Sequence, residues 1–330
     1  MKSNRITQKD SARARAHRDD EFTDSRVYAS LHRLLALEHK ASGFSFLPRQ
    51  PLHSLLAGRH ASKVRGRGLN FEELRTYYPG DDVRTIDWKV TARTRKPHIR
   101  VFTEERERPA LLVVDQRIDM FFGTKRYMKS VSAAEAAALG AWRILQQGDR
   151  VGALVFNDTD IVEIRPHRSR RTVMRVLQTV VDMNRALRVD HDVPPNPAML
   201  NQVLETVARL TGHDYLIVVI SDFEGADDET RSLMLRLSQH NDLMGVVVHD
   251  PSATDLPPVE DLVITDGELQ IELNMGQQKV RRKVAEISKS RISRVLAWQQ
   301  EIQVPMLPIT TEGGVAEQVR HLLGYAPRVP

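Results

Sequence analysis

The sequence predicts an α/β fold, a mostly parallel sheet with helices on both faces, preceded by a basic, turn-rich amino-terminal segment. Three observations lead there. From Pro109 onward, short apolar runs alternate with helix-period segments of ten or more residues, the rhythm of strands joined by crossover helices. Two of those runs, ending at Asp115 and at Ile220, are continuously apolar, as strands covered on both faces must be. The charge is also split. Residues 1–108 carry 23 Lys+Arg against 14 Asp+Glu, whereas residues 109–330 carry 25 against 29. A +5 chain is therefore a basic piece followed by a mildly acidic one, which suggests one piece binding the other.

Composition narrows the function classes. Of 330 residues, 41% are hydrophobic and 28% charged, a globular rather than a disordered balance. There is no cysteine, which excludes disulfides, thiolate zinc sites, iron–sulfur clusters and a cysteine nucleophile. No run reaches the ~20 apolar residues of a membrane helix, so no integral membrane segment is expected. The first twenty residues are charged with no apolar stretch behind them, which does not read as a secretory signal. A cytoplasmic protein is expected.

Taken in order, residues 1–24 are dense in mixed charge and read as a flexible tail. Residues 25–108 form an amino-terminal helical and basic segment. Within it, Val27, Leu31, Leu34 and Leu35 have the spacing of an amphipathic helix over Ser25–Lys40, read as a docking helix rather than a membrane-surface one. Pro48 and Pro51 break that pattern, and a short apolar turn follows at Leu52–Leu56. Residues 63–108 have little helix period, and Pro79-Gly80-Asp81-Asp82 is a strong turn signal.

Residues 109–330 form the α/β domain. Strands are expected at Ala110–Asp115, Val151–Phe156, Asp160–Arg165, Asp214–Ile220, Leu243–His249 and Pro305–Ile309. Helices are expected at Ser130–Gln147 (closed by Gly148), Arg170–Arg185, Met199–Leu210, Glu229–His240, Gln277–Gln303 and Val315–Leu323. A Pro-rich link leads into a hairpin around 256–274. In open α/β sheets ligands bind where loops leave the carboxyl ends of the strands, so the loops DQRID at 115–119 and SDFEG at 221–225 are the ones to inspect.

Two apolar strands ending in Asp115 and Asp222, with a long Ala-rich helix after the first loop, resemble a von Willebrand factor A-like (Rossmann-like) domain. The resemblance implies a metal-ion-dependent adhesion site: an Asp-x-Ser-x-Ser loop, a Thr from a second loop and an Asp from a third, holding Mg²⁺ with one position open for a partner's carboxylate. A longer match lies upstream. Phe71–Arg93 with Glu104-Glu105-Arg106, then FFGT at 121–124, Lys129 and GDRVGALVF at 148–156, resembles the domain of unknown function 58 family over roughly residues 63–330. Its members join such a basic segment to a von Willebrand A-like domain, and their genes commonly lie beside those of MoxR-type AAA+ ATPases. The resemblance therefore implies an adaptor that partners such an ATPase in assembling or remodelling a client protein.

The metal loops depart from the pattern. Asp115 is kept, but Arg117 and Asp119 stand at the serine positions; Pro194-Pro195-Asn196 replaces Gly-Gly-Thr; Asp222 matches the third loop. One reading has Arg117 bridging Asp115 and Asp222, a guanidinium satisfying carboxylates as a metal would, in a degenerate site without cofactor. The other has Arg117 pointing outward while Asp115, Asp119 and Asp222 bind Mg²⁺, giving a metal-dependent module that captures an acidic partner directly. The signature string carries two readings as well. Arg75, Tyr77, Pro79, Gly80, Asp81, Asp82, Arg84, Asp87, Trp88, Lys89 and Arg93 form either a charge lattice tying irregular backbone to the α/β domain, with Trp88 buried, or a surface engaging a partner through Arg and Tyr anchors.

Other signals carry less. The basic run at 165–175 includes Val173, with Val176, Leu177 and Val180 following, so its arginines read as the solvated side of a helix rather than a nucleic-acid site. Asp190-His191-Asp192 is a weak metal candidate. There is no Walker loop, Gly-x-Ser-x-Gly elbow or His-Glu-x-x-His, and Arg117 stands where an aspartyl-phosphate phosphatase needs its second Asp. A non-enzymatic interaction protein is expected.

Overall fold

The computed structural model describes residues 24–44, 69–104, 107–188, 194–251, 261–265, 270–274 and 291–323. Residues 1–23 of the expected tail, the apolar turn at Leu52–Leu56, the Asp190–Asp192 cluster and the first half of the Gln277–Gln303 helix lie outside them. The chain divides into two compact units, one of residues 1–46 with 108–330, the other of residues 47–107.

The larger unit is built on a six-stranded sheet in the order β10-β7-β6-β3-β4-β5. Its strands are β3 (Pro109–Asp115), β4 (Arg150–Phe156), β5 (Ile161–His167), β6 (Leu216–Ser221), β7 (Asp242–His249) and β10 (Met306–Thr310). All neighbours pair in parallel except β4 and β5, which form an antiparallel edge around the Asn157–Asp160 turn. A mostly parallel sheet needs cover on both faces, and side-chain alternation supplies two cores. Ala110, Leu112 and Val114 of β3 face α1 (Leu31–Ala36), α3 (Lys129–Gln146), α4 (Arg170–Ala186) and α8 (Val315–Leu323). Leu111 and Val113 face α5 (Met199–Leu210), α6 (Asp228–Ser238) and α7 (291–301). A separate antiparallel pair, β8 (Asp261–Thr265) with β9 (Gln270–Asn274), is the hairpin expected around 256–274.

Helix α3 is buried along nearly its whole length because alanines let neighbours approach from every side. Gly148, at φ +86°, takes the left-handed turn that ends it. Helix α4 buries Val173, Val176, Leu177 and Val180 and turns Arg171 and Arg175 to solvent, as its pattern requires.

The boundary expected at residue 108 needs correcting at its amino-terminal side. Residues 25–44 belong with the α/β unit, not with the basic segment that follows. Leu34, Leu37, Ala41 and Phe44 are buried in the α/β core, and Trp142 Nε1 donates to Leu34 O at 3.2 Å. Arg33 pairs with Glu135, a buried carboxylate on α3. Burial pushes the Glu135 carboxyl up, and Arg33 pulls against that. The short helix docks, as its spacing implies.

In the smaller unit the turn-rich stretch proves more regular than its sequence suggests. β1 (Leu69–Thr76) and β2 (His98–Glu104) pair antiparallel, with α2 (Trp88–Thr94) between them. Tyr78–Asp81 is a turn closed by Asp81 N–H to Tyr78 O at 3.0 Å, with Gly80 at φ +108° where a side chain would be strained. Among the described residues, no helix is long and apolar enough to cross a membrane.

Candidate functional site

The carboxyl ends of the parallel strands converge on a cluster of ionised side chains. β3 delivers Asp115, which is fully buried, and the loop after it turns Arg117 back over the strand end. Arg117 Nε donates to Asp115 Oδ1 at 3.1 Å and Oδ2 at 3.2 Å, and Nη2 donates to Oδ2 at 2.8 Å. The Arg117 backbone N–H adds a bond to Oδ1 at 2.9 Å. From β6, Ser221 Oγ donates to Asp115 Oδ2 at 2.6 Å. Both oxygens of Asp115 are thus engaged by protein donors.

The same guanidinium ties three loops together. Nη1 reaches the carbonyls of Asn196 and Pro197 at 3.4 and 3.5 Å, and Nη2 donates to Glu224 O at 3.1 Å. Its face lies 5.7 Å from the Phe156 ring centre. Burial works against the charge of Arg117, but Asp115, then Asp222 and Asp119, outweigh it and hold the group protonated.

Asp222 is engaged mainly by a different cation. Arg117 Nη2 comes only to 3.9 Å of its Oδ1, whereas Lys129 Nζ, at the first residue of α3, pairs directly with its Oδ2. Oδ1 accepts from Glu224 N–H at 3.0 Å. Burial opposes ionisation of Asp222, yet Lys129, then Arg117 and Arg291, more than compensate and keep its carboxyl below the ordinary range. Arg291 in turn pairs with the Glu224 side chain. The loop carrying Asp222 is constrained too. Phe223 adopts a left-handed φ of 56°, is fully buried, and donates its N–H to Ser221 Oγ at 2.9 Å.

Asp119 lies beside this pair without joining it. Burial pushes its carboxyl up and Asp222 adds to the push, while Arg117 and Lys129 oppose both. Two further aspartates, which sequence reasoning did not single out, brace the same edge. Asp158 accepts from Ile118 N–H at 2.7 Å and Asn196 N–H at 2.9 Å, joining the first and second loops. Asp250, after β7, accepts from Thr124 N–H at 2.8 Å and Thr311 Oγ1 at 2.6 Å. Among the described residues, no group of three or more His, Asp or Glu side chains is arranged to hold a metal ion.

In the smaller unit the signature residues divide. Arg75 and Asp81 make a two-pronged ion pair at 2.9 and 2.8 Å. Asp87 Oδ1 accepts from the N–H groups of Lys89 and Val90, capping α2, and its Oδ2 takes Arg100 Nε at 2.8 Å. Asp82 Oδ1 accepts from Arg84 N–H at 3.0 Å. The side chains of Arg84, Lys89 and Arg93 are exposed, with no ion pair among the described residues. Tyr77 is half-buried and Pro79 is exposed. Trp88, buried in the charge-lattice reading, is 69% exposed, and α2 buries none of its residues.

Comparison with known proteins points one way. The family profile described as "Protein of unknown function DUF58" matches residues 73–293. The chain is 34% identical over 220 residues to "Uncharacterized protein Rv1480" of Mycobacterium tuberculosis and to "Uncharacterized protein Mb1516" of Mycobacterium bovis, covering 67% of this chain and 67% of each relative.

Proposed function

The chain belongs to the DUF58 family, and on that footing we propose that it is a non-enzymatic adaptor that partners a MoxR-type AAA+ ATPase in assembling or remodelling a client protein. In this reading the larger unit is a von Willebrand A-like domain whose metal-ion-dependent adhesion site has become a fixed ion-pair cluster. One observation carries it. Arg117 sits where the three loops converge, bonded to Asp115 and to carbonyls of the other two loops, with Lys129 on Asp222.

A divalent cation does not fit this donor set. Mg²⁺ needs oxygen lone pairs directed at one point, but those of Asp115 are spent on Arg117 and Ser221. Two fixed cations beside the same carboxylates would repel a third. What remains is a rigid loop platform suited to holding a protein partner rather than to proton or phosphoryl transfer. The ATPase partnership rests on the family resemblance.

Two measurements test the proposal. Calorimetric titration of the native chain with Mg²⁺ and Mn²⁺ should give no binding heat, with heat appearing when Arg117→Ser and Asp119→Ser are combined. Strong binding by the native chain would instead favour the metal-dependent module that captures an acidic partner directly. Co-purification with a MoxR-type ATPase in the presence of ATP should succeed, and consistent failure would remove the adaptor role.

A further inference from the structure

Helix α2 is a helix without cover among the described residues. Five of its seven residues, Trp88, Lys89, Ala92, Arg93 and Thr94, are exposed, and none of the seven is buried. Residues four apart on a helix share a face, so Trp88 with Ala92 and Lys89 with Arg93 form one continuous outer surface. The apolar exposure continues into the turn before it, with Val83 at 58% and Tyr78 at 63%. An indole left in water is costly in apolar area, and exposed apolar side chains grouped on one face mark an interaction site more than single ones do.

The charge around that indole is mainly positive; the turn before α2 adds Asp81, paired with Arg75, and Asp82. Between residues 84 and 100 there are six Lys and Arg and a single acid, Asp87. Asp87 is already spent on Arg100 and on the α2 amides. Arg84, Lys89 and Arg93 therefore project unpaired cations, among the described residues, beside an exposed tryptophan. Tryptophan and arginine are the side chains that dominate binding energy at protein interfaces.

We propose that the outer face of α2, with Trp88 as its anchor and Arg84, Lys89 and Arg93 around it, docks an acidic protein segment whose aliphatic side chains cover the indole. This rests on the adaptor reading and deepens it by naming the contact. The observations favour protein over nucleic acid. A seven-residue helix spans about 10 Å, too short to follow the run of phosphates that gives nucleic-acid binders their affinity.

The tryptophans themselves supply the readout. Trp142 and Trp298 are buried at 0% and 2% exposure, so of the three only Trp88 answers to a solvent quencher. The full chain is titrated with a synthetic glutamate–leucine peptide, and in parallel with oligothymidylate of equal charge. The peptide should bind, shift the Trp88 emission to the blue and protect it from acrylamide. Its affinity should fall about tenfold or more when Arg84→Glu, Lys89→Glu and Arg93→Glu are combined, and as salt rises. Trp88→Ala should weaken peptide binding read by calorimetry, with the far-ultraviolet circular dichroism unchanged from the native chain. No peptide binding, unchanged affinity in the charge-reversed chain, or tighter binding of oligothymidylate would each overturn the proposal. A separate titration with the ATPase keeps the two readings apart: a chain that passes the peptide test but ignores the ATPase retains the surface and loses the adaptor role.

Discussion

The two units use the same residue types, arginine, lysine and aspartate, to opposite effect. At the strand ends of the α/β unit Arg117, Asp115 and Asp222 are out of water, and each has an oppositely charged partner. Around α2 the cations are in water, and several have none among the described residues. The difference follows from solvation. A buried charge without a partner costs several kcal/mol, so burial enforces pairing, whereas an exposed charge costs almost nothing and is left available for another molecule. Closed pairs mark where this molecule holds itself together. Open cations are the ones left available to a partner, as proposed for α2.

The sharpest way to break that contrast is to unpair the buried cluster. Arg117→Ala leaves Asp115 buried with only Ser221 and a backbone amide, and it cuts the brace across three loops. Removing one partner of a buried pair typically costs about 3–5 kcal/mol, so urea unfolding should show a loss of that order. A loss below about 1 kcal/mol would put Arg117 in the same class as the surface cations.

Lys129→Met tests the second pair and should cost less, about 2 kcal/mol, because Asp222 keeps a backbone donor and Arg117 nearby. Its pH dependence has a definite sign. The folded-state pKa of Asp222 is depressed, so the stability it contributes is fully present above the unfolded carboxylate value and is lost as pH falls through the folded one. The gap between native chain and variant should therefore be constant near neutrality and narrow as acid protonates Asp222. A gap that stays flat as acid protonates Asp222 would assign the pairing to another group.

The contrast also explains what could be read from sequence. β3, β6 and α3 were legible because burial on every side leaves continuous apolar or Ala-rich runs. β1 and β2 were not: among the described residues Leu74 and Arg100 are exposed and Ile99 is buried, and charge masks the strand period. Arg117 was visible as a cation between two aspartates, and it reaches both, Asp115 at 2.8 Å and Asp222 at 3.9 Å. Lys129 escaped as a site residue because its partner lies 93 positions away. A signal was present nonetheless. A lysine at the first position of a helix opposes the macrodipole, and such a residue heading an otherwise buried helix needs an anion close by. The charge-lattice reading buried Trp88 because large aromatics are usually well buried.

The smallest expected effect tests the other side of the comparison. Arg93→Glu reverses an exposed charge that makes no ion pair among the described residues, on a helix whose outer face packs on nothing among them. Substitutions away from structural contacts usually change stability by less than about 0.5 kcal/mol, and this one should not exceed that. Urea unfolding beside the Arg117→Ala variant gives the comparison directly. If Arg93→Glu costs more than 1 kcal/mol, the guanidinium is a structural tie after all, and an arginine's exposure would no longer separate the side chains that hold this fold from those free to meet a partner.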